Sequence, residues 1–296
     1  MLGFDTVRST DHDWGPRVLL FLATADVDRY AGEIVTTLAE RMPTSVRGWS
    51  TNFSVPEPGR SRTLQPASDP PTNHRVEVLD LDAWLVGQLG VDPRKGMRAR
   101  DWLAIPTQLL LEATAGAVFH DGLGQLEPIR ATLAWYPDDV WRYLLACQWR
   151  RIAQEEAFPG RCAETGDDLG SRVVTARLVR DLMRLAMLIE RYYPPYSKWL
   201  GAALNRLHRA PTLQPLLTGA LAATDWPQRE DFLCRAYEVL ARACNDLGLA
   251  EPVEPTVRLF HDRPFRVLAA DRFADALSQA ITDTEVLSLA RHVGGV

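Results

Sequence analysis

Asp11 and Asp13 stand one residue apart in Ser9-Thr10-Asp11-His12-Asp13-Trp14, just ahead of the apolar run Val18-Leu19-Leu20-Phe21-Leu22. In extended backbone, residues i and i+2 point to one face, roughly 6–7 Å apart along the strand. Two carboxylates so placed can hold one or two Mg²⁺ ions, and paired hard cations suit in-line phosphoryl or nucleotidyl displacement. The same residue types also suit a polar turn that starts a strand. The spacing leaves both readings open. A third acid, Glu77, lies in His74-Arg75-Val76-Glu77-Val78-Leu79, where Val76 and Val78 share one strand face and Arg75, Glu77 and Leu79 the other. A glutamate on such a strand faces solvent at a sheet edge or is aimed into a site, and taken alone the edge is the simpler placement.

The elements that must position these acids read as α+β. Val18 to Leu22 is too short to span a membrane and has the character of a buried strand. A helix follows over Val27 to Met42, with apolar residues at Val27, Tyr30, Ala31, Ile34, Val35 and Leu38, and Pro43 ends it. A short strand is expected over Val46 to Trp49. The proline-rich stretch from Asn52 to Asn73 has almost no large apolar residue and reads as a long surface loop, one that could order over a site when substrate arrives. Asp82 suits the cap of a helix over Ala83 to Leu89.

From residue 101 the pattern turns helical. Asp101 could cap a helix through Ala113, broken at Pro106. After the loop Phe119 to Gly124 and a further helix, Pro137-Asp138-Asp139 opens a long helix with an inner stripe at Val140, Tyr143, Leu144 and Cys147. A second long helix, over 170–192, repeats apolar residues at Val174, Leu178, Leu182, Leu185 and Ile189 until Pro194-Pro195 stops it. More helices fill 196–248, and a strand at Phe265 to Leu268 precedes a helix at 272–281. The expected organisation is a mixed α/β domain over 1–100 and a helical bundle over 101–296 with a short terminal strand-helix extension.

Composition bounds the partners. The 296 residues are 46% hydrophobic and 24% charged, an ordinary globular balance, and the net charge of −5 offers no global basic field for an extended nucleic acid. All but two of the 33 cationic residues are arginine, the exceptions being Lys95 and Lys198. Cys147, Cys162, Cys234 and Cys244 lack C-x-x-C spacing, so neither a disulfide framework nor a structural zinc site is expected. With no signal peptide and no apolar stretch of membrane-span length, the expectation is a cytoplasmic protein without a membrane partner.

Together, the Asp-x-Asp pair at one strand, then a helix, a strand, a loop, a third acid on a later strand and a helical bundle resemble the nucleotidyltransferase superfamily related to DNA polymerase beta. The chain is similar, more closely, to one uncharacterised bacterial family within it, known only as a domain of unknown function. That similarity lies in Gly3-Phe4-Asp5-Thr6, Ser9-Thr10-Asp11-His12-Asp13-Trp14-Gly15-Pro16-Arg17, Tyr136-Pro137-Asp138-Asp139-Val140-Trp141 and Arg191-Tyr192-Tyr193-Pro194-Pro195-Tyr196-Ser197-Lys198-Trp199, and runs over most of the chain.

The resemblance implies a nucleotidyltransferase-like domain in which Asp11, Asp13 and Glu77 bind two Mg²⁺ ions. It implies ATP or another NTP as donor and transfer of its NMP, most simply AMP, to a hydroxyl. The acceptor is a small molecule, a protein or a tRNA end. Arg191, Tyr193 and Lys198 are candidates for the nucleotide side of a cleft between the domains, the lysine meeting phosphate as a point charge. Packing of the aromatics Tyr193 and Tyr196 and plain surface exposure of Lys198 explain those residues equally well. Glu155 and Glu156 read more simply as a solvated helix face, and Asp167 and Asp168 as a helix cap.

One element of the superfamily does not occur in the sequence as given, either because the start lies further upstream or because a standard phosphate cradle is lacking. An apolar strand ending in Gly-Ser normally precedes the aspartate pair and cradles the triphosphate with its backbone N–H groups, whereas this chain begins Met1-Leu2-Gly3. A catalytically silent relative that binds a nucleotide or a partner therefore stands beside the enzyme. The dipeptides His12-Asp13, His120-Asp121 and His261-Asp262 invite a metal-dependent phosphohydrolase, but such a site needs further ligands on surrounding helices and His74 is the only obvious spare.

Overall fold

A computed structural model describes residues 2–6, 9 and 14–289 of the chain. The fold is α+β, and its residues divide into two compact units: 1–97 with 115–132, and 98–114 with 133–296. No described helix is long and apolar enough to cross a membrane.

In the first unit, β1 (Val18–Leu22) runs into α1 (Thr24–Arg41) and returns, after a long excursion, as β4 (Val76–Asp80). β1 and β4 pair in parallel from Val18↔Val76 to Leu22↔Asp80. Parallel neighbours need a crossover, and α1, which packs on β4, provides it. The sheet is two-stranded among the described residues. Its cover is correspondingly thin: α1 has no fully buried residue, and Val18, Leu19, Tyr30 and Val35 remain exposed. The half-buried stripe of α1 is Val27, Ala31, Ile34 and Leu38, the spacing expected of one helix face.

Two local expectations need correction here. The stretch 46–49 is a tight hairpin of β2 (Ser45–Val46) and β3 (Trp49–Ser50), because Arg47 and Gly48 both take positive φ, 52° and 81°, as a type I′ turn requires. The cap of α2 (Leu81–Leu89) is Asp80, whose Oδ1 accepts the Ala83 N–H at 2.8 Å, since helix follows strand with no intervening loop. Asp82 instead pairs with Arg94 at 2.6 Å.

The proline-rich stretch is the long, largely exposed loop that its composition predicts, and it is pinned near its ends. Phe53 is fully buried, Asn73 Nδ2 donates to the carbonyls of Phe53 and Ser54 at 2.9 and 3.0 Å, and Asn52 Oδ1 accepts the Asn73 N–H at 2.8 Å. Ser54 and Thr63 pair across it through backbone and hydroxyl.

The second unit is helical. α3 (Ala99–Ala104) and α4 (Thr107–Thr114) are separated at Pro106, as the missing N–H demands. Asp101 lies inside the first turn rather than capping it, its carboxylate accepting the Arg98 N–H at 2.9 Å. The core is built on α6 (Asp138–Glu155) and α8 (Asp168–Ile189), which run antiparallel: Trp141 Nε1 donates to the Leu188 carbonyl, Gln148 to that of Asp181, and Glu155 pairs with Arg177. Leu178, Leu182, Leu185 and Ile189 of α8 are buried as their spacing predicts.

The buried positions of α6 are Val140, Trp141, Leu145, Ala146, Gln148, Trp149, Ile152 and Glu155, so Val140 is buried as expected whereas Tyr143, Leu144 and Cys147 are only half-buried. Two tryptophans bury more area than any alternative register of the same period. Each fully buried large side chain here contributes roughly 1.5–3 kcal/mol. α11 (Trp226–Asn245) adds Leu233, Tyr237 and Leu240 to this core. The hairpin of β5 (Arg258–Leu259) and β6 (Arg266–Val267) leads into α12 (Asp271–Gln279), where Phe273 stacks on Trp149 at 4.9 Å. Glu285 of α13 (Thr284–Leu287) accepts the Ala99 N–H at 2.9 Å and ties the end of the unit to its beginning. Shorter helices, α7 (Phe158–Glu164), α9 (Leu200–Leu204) and α10 (Ala210–Ala222), complete it.

Candidate functional site

Glu77 occupies the second position of β4, directly opposite Leu19 of β1, and by strand alternation the two side chains share a face. Its side chain is 46% exposed, and among the described residues its ion-pair partner is Arg75, 3.4 Å away. The backbone N–H of Val18 donates to the Arg75 carbonyl at 3.2 Å, so β1 begins beside the residue two before Glu77. The approach to β1 is fixed from both sides. Trp14 meets Trp49 edge-on at 4.5 Å, and Gly15, at φ 146°, lies so close to the Phe53 ring that a Cβ would sit 2.6 Å from it. Only glycine fits that position.

Asp11 and Asp13 lie outside the described residues. Of the expected trio of acids, Glu77 alone is placed. Among the described residues no group of three or more His, Cys, Asp or Glu side chains is arranged to hold a metal ion.

The other three candidates belong to the second unit and differ in availability. The Tyr193 hydroxyl donates to the Leu133 carbonyl at 2.9 Å, its ring packs on Trp135 and Tyr136, and burial raises its pKa well above the ordinary phenol value. That hydroxyl is committed to the fold. Arg191, at φ 55°, ends the long helix with its guanidinium 4.7 Å from the centre of the Trp141 ring, an arrangement that leaves its edge open to solvent. Lys198 is exposed on a short 3-10 turn, Ser197–Trp199, with its ammonium 4.7 Å from the Trp199 ring.

Glu155 and Glu156 are not on a solvated face. Both are nearly fully buried. Glu155 falls on the inner stripe of α6 and pairs with Arg177 at 2.7 Å. Glu156 turns the other way and accepts the N–H groups of Leu268 and Ala270 at 2.7 and 2.9 Å. Burial pushes its carboxyl up to about 7, against the pull of those two donors. Glu156 lines an open groove of about 510 Å³ together with Arg150, Arg258, His261 and Asp271. A neighbouring groove of about 740 Å³, walled by Phe158, Arg161, Cys162 and Arg263, shares Phe260 and His261 at the tip of the β5–β6 hairpin. Nothing in the local spacing signals Glu156, because its partners are backbone groups more than a hundred residues away in the chain.

Comparison with known families adds one match. Residues 102–200 fit the model of a family described as a domain of unknown function, DUF4037. No curated protein and no solved structure shows significant similarity to the chain.

Proposed function

We propose that this protein is a cytoplasmic, Mg²⁺-dependent nucleotidyltransferase that moves a nucleoside monophosphate, most simply AMP from ATP, to a hydroxyl on a small molecule, a protein or a tRNA end. The supporting observation is the parallel pairing of β1 with β4. It lays the strand that follows the Asp11-x-Asp13 pair alongside the strand that carries Glu77. The segment between the pair and β1 is held against Phe53 and Trp49 on the way.

Glu77 suits a hard cation. Its carboxylate is half exposed and makes one long contact with Arg75, so its lone pairs are open to an oxygen-seeking ion. Asp11, Asp13 and Glu77 would hold the Mg²⁺, which when bound neutralises charge at the triphosphate and acts as a Lewis acid. Glu77 would also accept the proton of the attacking hydroxyl.

Incubation of the purified chain with ATP, Mg²⁺ and candidate acceptors should release pyrophosphate, and Asp13→Asn should abolish that release. Activity that survives the substitution contradicts the role given to the pair. ATP binding measured by calorimetry with no turnover on any acceptor would instead favour a catalytically silent nucleotide-binding relative.

A further inference from the structure

Arg177, Arg180, Asp181 and Arg184 recur at i, i+3, i+4 and i+7 on α8 and so stand on one helix face, against Gln148, Arg151 and Glu155 of α6. Arg177 is matched by Glu155 at 2.7 Å. Asp181 is buried and serves two cations at once: Arg151 Nη2 at 3.4 Å and Arg180 Nη2 at 3.3 Å. Both contacts are long beside the roughly 2.7–2.9 Å of a well-made charge-assisted hydrogen bond. Half-buried Arg184 has neither a hydrogen bond nor an ion pair among the described residues. Burial first, then the charge of Arg180, holds its guanidinium below the ordinary range.

Arg151 of α6 and Arg180 of α8 therefore share the Asp181 carboxylate while Arg184, one turn on, has no ion pair of its own among the described residues, leaving two positive charges in excess across the facing turns of the two helices. Desolvation and mutual repulsion both oppose that arrangement, and the single Asp181 carboxylate offsets only part of them. A bound anion would offset the rest. Guanidinium forks match the oxygens of phosphate better than any other common side chain does. The excess is local to this α6–α8 contact on a chain of net charge −5, which fits one or two phosphoryl groups rather than a nucleic-acid backbone.

We propose that Arg151, Arg180 and Arg184 form a binding site for the phosphoryl group of a small molecule, a phosphate monoester or a short polyphosphate. The site stands independently of the reaction assigned to Glu77, because it uses none of the same residues.

The test is calorimetry of the full chain with inorganic pyrophosphate at low salt in EDTA, where no metal ion can bridge an anion to the acidic residues. One-site binding that weakens as salt is added is expected. Arg184→Gln should lower the affinity by about tenfold or more, the equivalent of one charge-assisted contact, and Arg184→Lys should fall between. In anion-free buffer Arg184→Gln should melt at the same temperature as the parent or higher, since it removes a repelled charge. Absence of pyrophosphate binding, equal affinity in Arg184→Gln, or a lower melting temperature for that variant in anion-free buffer overturns the proposal. A short single-stranded RNA that binds more tightly than pyrophosphate overturns the assignment to small phosphates.

Discussion

The backbone N–H of Ala270 donates to the Glu156 carboxylate at 2.9 Å, joined by the N–H of Leu268 at 2.7 Å. One side chain at the end of α6 thus holds the connection between β6 and α12. The carboxyl is raised from 4.5 to about 7 in the folded chain. Between those values the folded state binds more protons at this group than the unfolded one, so the contribution of Glu156 to stability is full below pH 4.5 and is lost as pH rises through 7. The loss is of order 3 kcal/mol. Thermal melts between pH 5 and 8 should show the midpoint of the parent falling relative to Glu156→Gln, which cannot titrate. Parallel curves for the two proteins would refute the linkage.

Asn73 and Phe53 hold the proline-rich excursion in place, so the stretch should resist proteases before any ligand is added. Asn73→Ala removes donors to two carbonyls, at 2.9 and 3.0 Å, and should cost roughly 1–3 kcal/mol of local stability. Cleavage between residues 54 and 63 should accelerate severalfold in the variant. If ATP and Mg²⁺ protect that segment strongly in the parent, the excursion also moves with substrate.

Glu77→Gln separates two roles of one carboxylate. The exposed position predicts a change in melting temperature of no more than about 1 °C, as for most surface substitutions. Pyrophosphate release should fall by at least about a hundredfold, the contribution typical of a general base. Release at the parental rate would remove Glu77 from the reaction while leaving the strand assignment intact.

Gly160 lies in α7 against the buried ring of Phe265, and a methyl group there would overlap the ring. Gly160→Ala should destabilise the second unit by about 1–3 kcal/mol despite the better helix propensity of alanine. Urea unfolding monitored by far-UV circular dichroism reads this directly, and a stabilised variant would show that Phe265 can swing away.

Where local chemistry decided the outcome, the residues were legible. β1 spans Val18–Leu22 as its apolar run predicts, the kink falls at Pro106, and Leu178, Leu182, Leu185 and Ile189 face inward. Where two answers had the same period, pattern chose only in part: on α6 Val140 is buried as expected, but Trp141 and Trp149 take the inner positions while Tyr143, Leu144 and Cys147 are half-buried. The hairpin at Arg47-Gly48 was hidden because arginine rarely takes positive φ. The burial of Glu155 and Glu156 was hidden for a different reason. Their partners, Arg177 and the Leu268–Ala270 backbone, lie on other elements, and adjacent acids at a helix end look solvated until those elements arrive. Glu77 was legible as a half-exposed strand glutamate, whereas its chemistry depends on Asp11 and Asp13, which lie outside the described residues.

The division of the chain has a practical corollary for anyone wishing to cut it. Residues 98–114 belong to the helical unit, yet 115–132 return to the first one. There the α5 segment (Leu126–Thr132) buries Ile129, and Gln125 accepts from Arg94 at 2.6 Å. The polypeptide thus passes from one unit to the other three times. A gene fragment ending near residue 100 would discard a wall of the module it meant to isolate, and one starting there would carry that wall along as an orphan. Excising the first unit intact calls for a short synthetic bridge in place of 98–114, joining Met97 to Ala115.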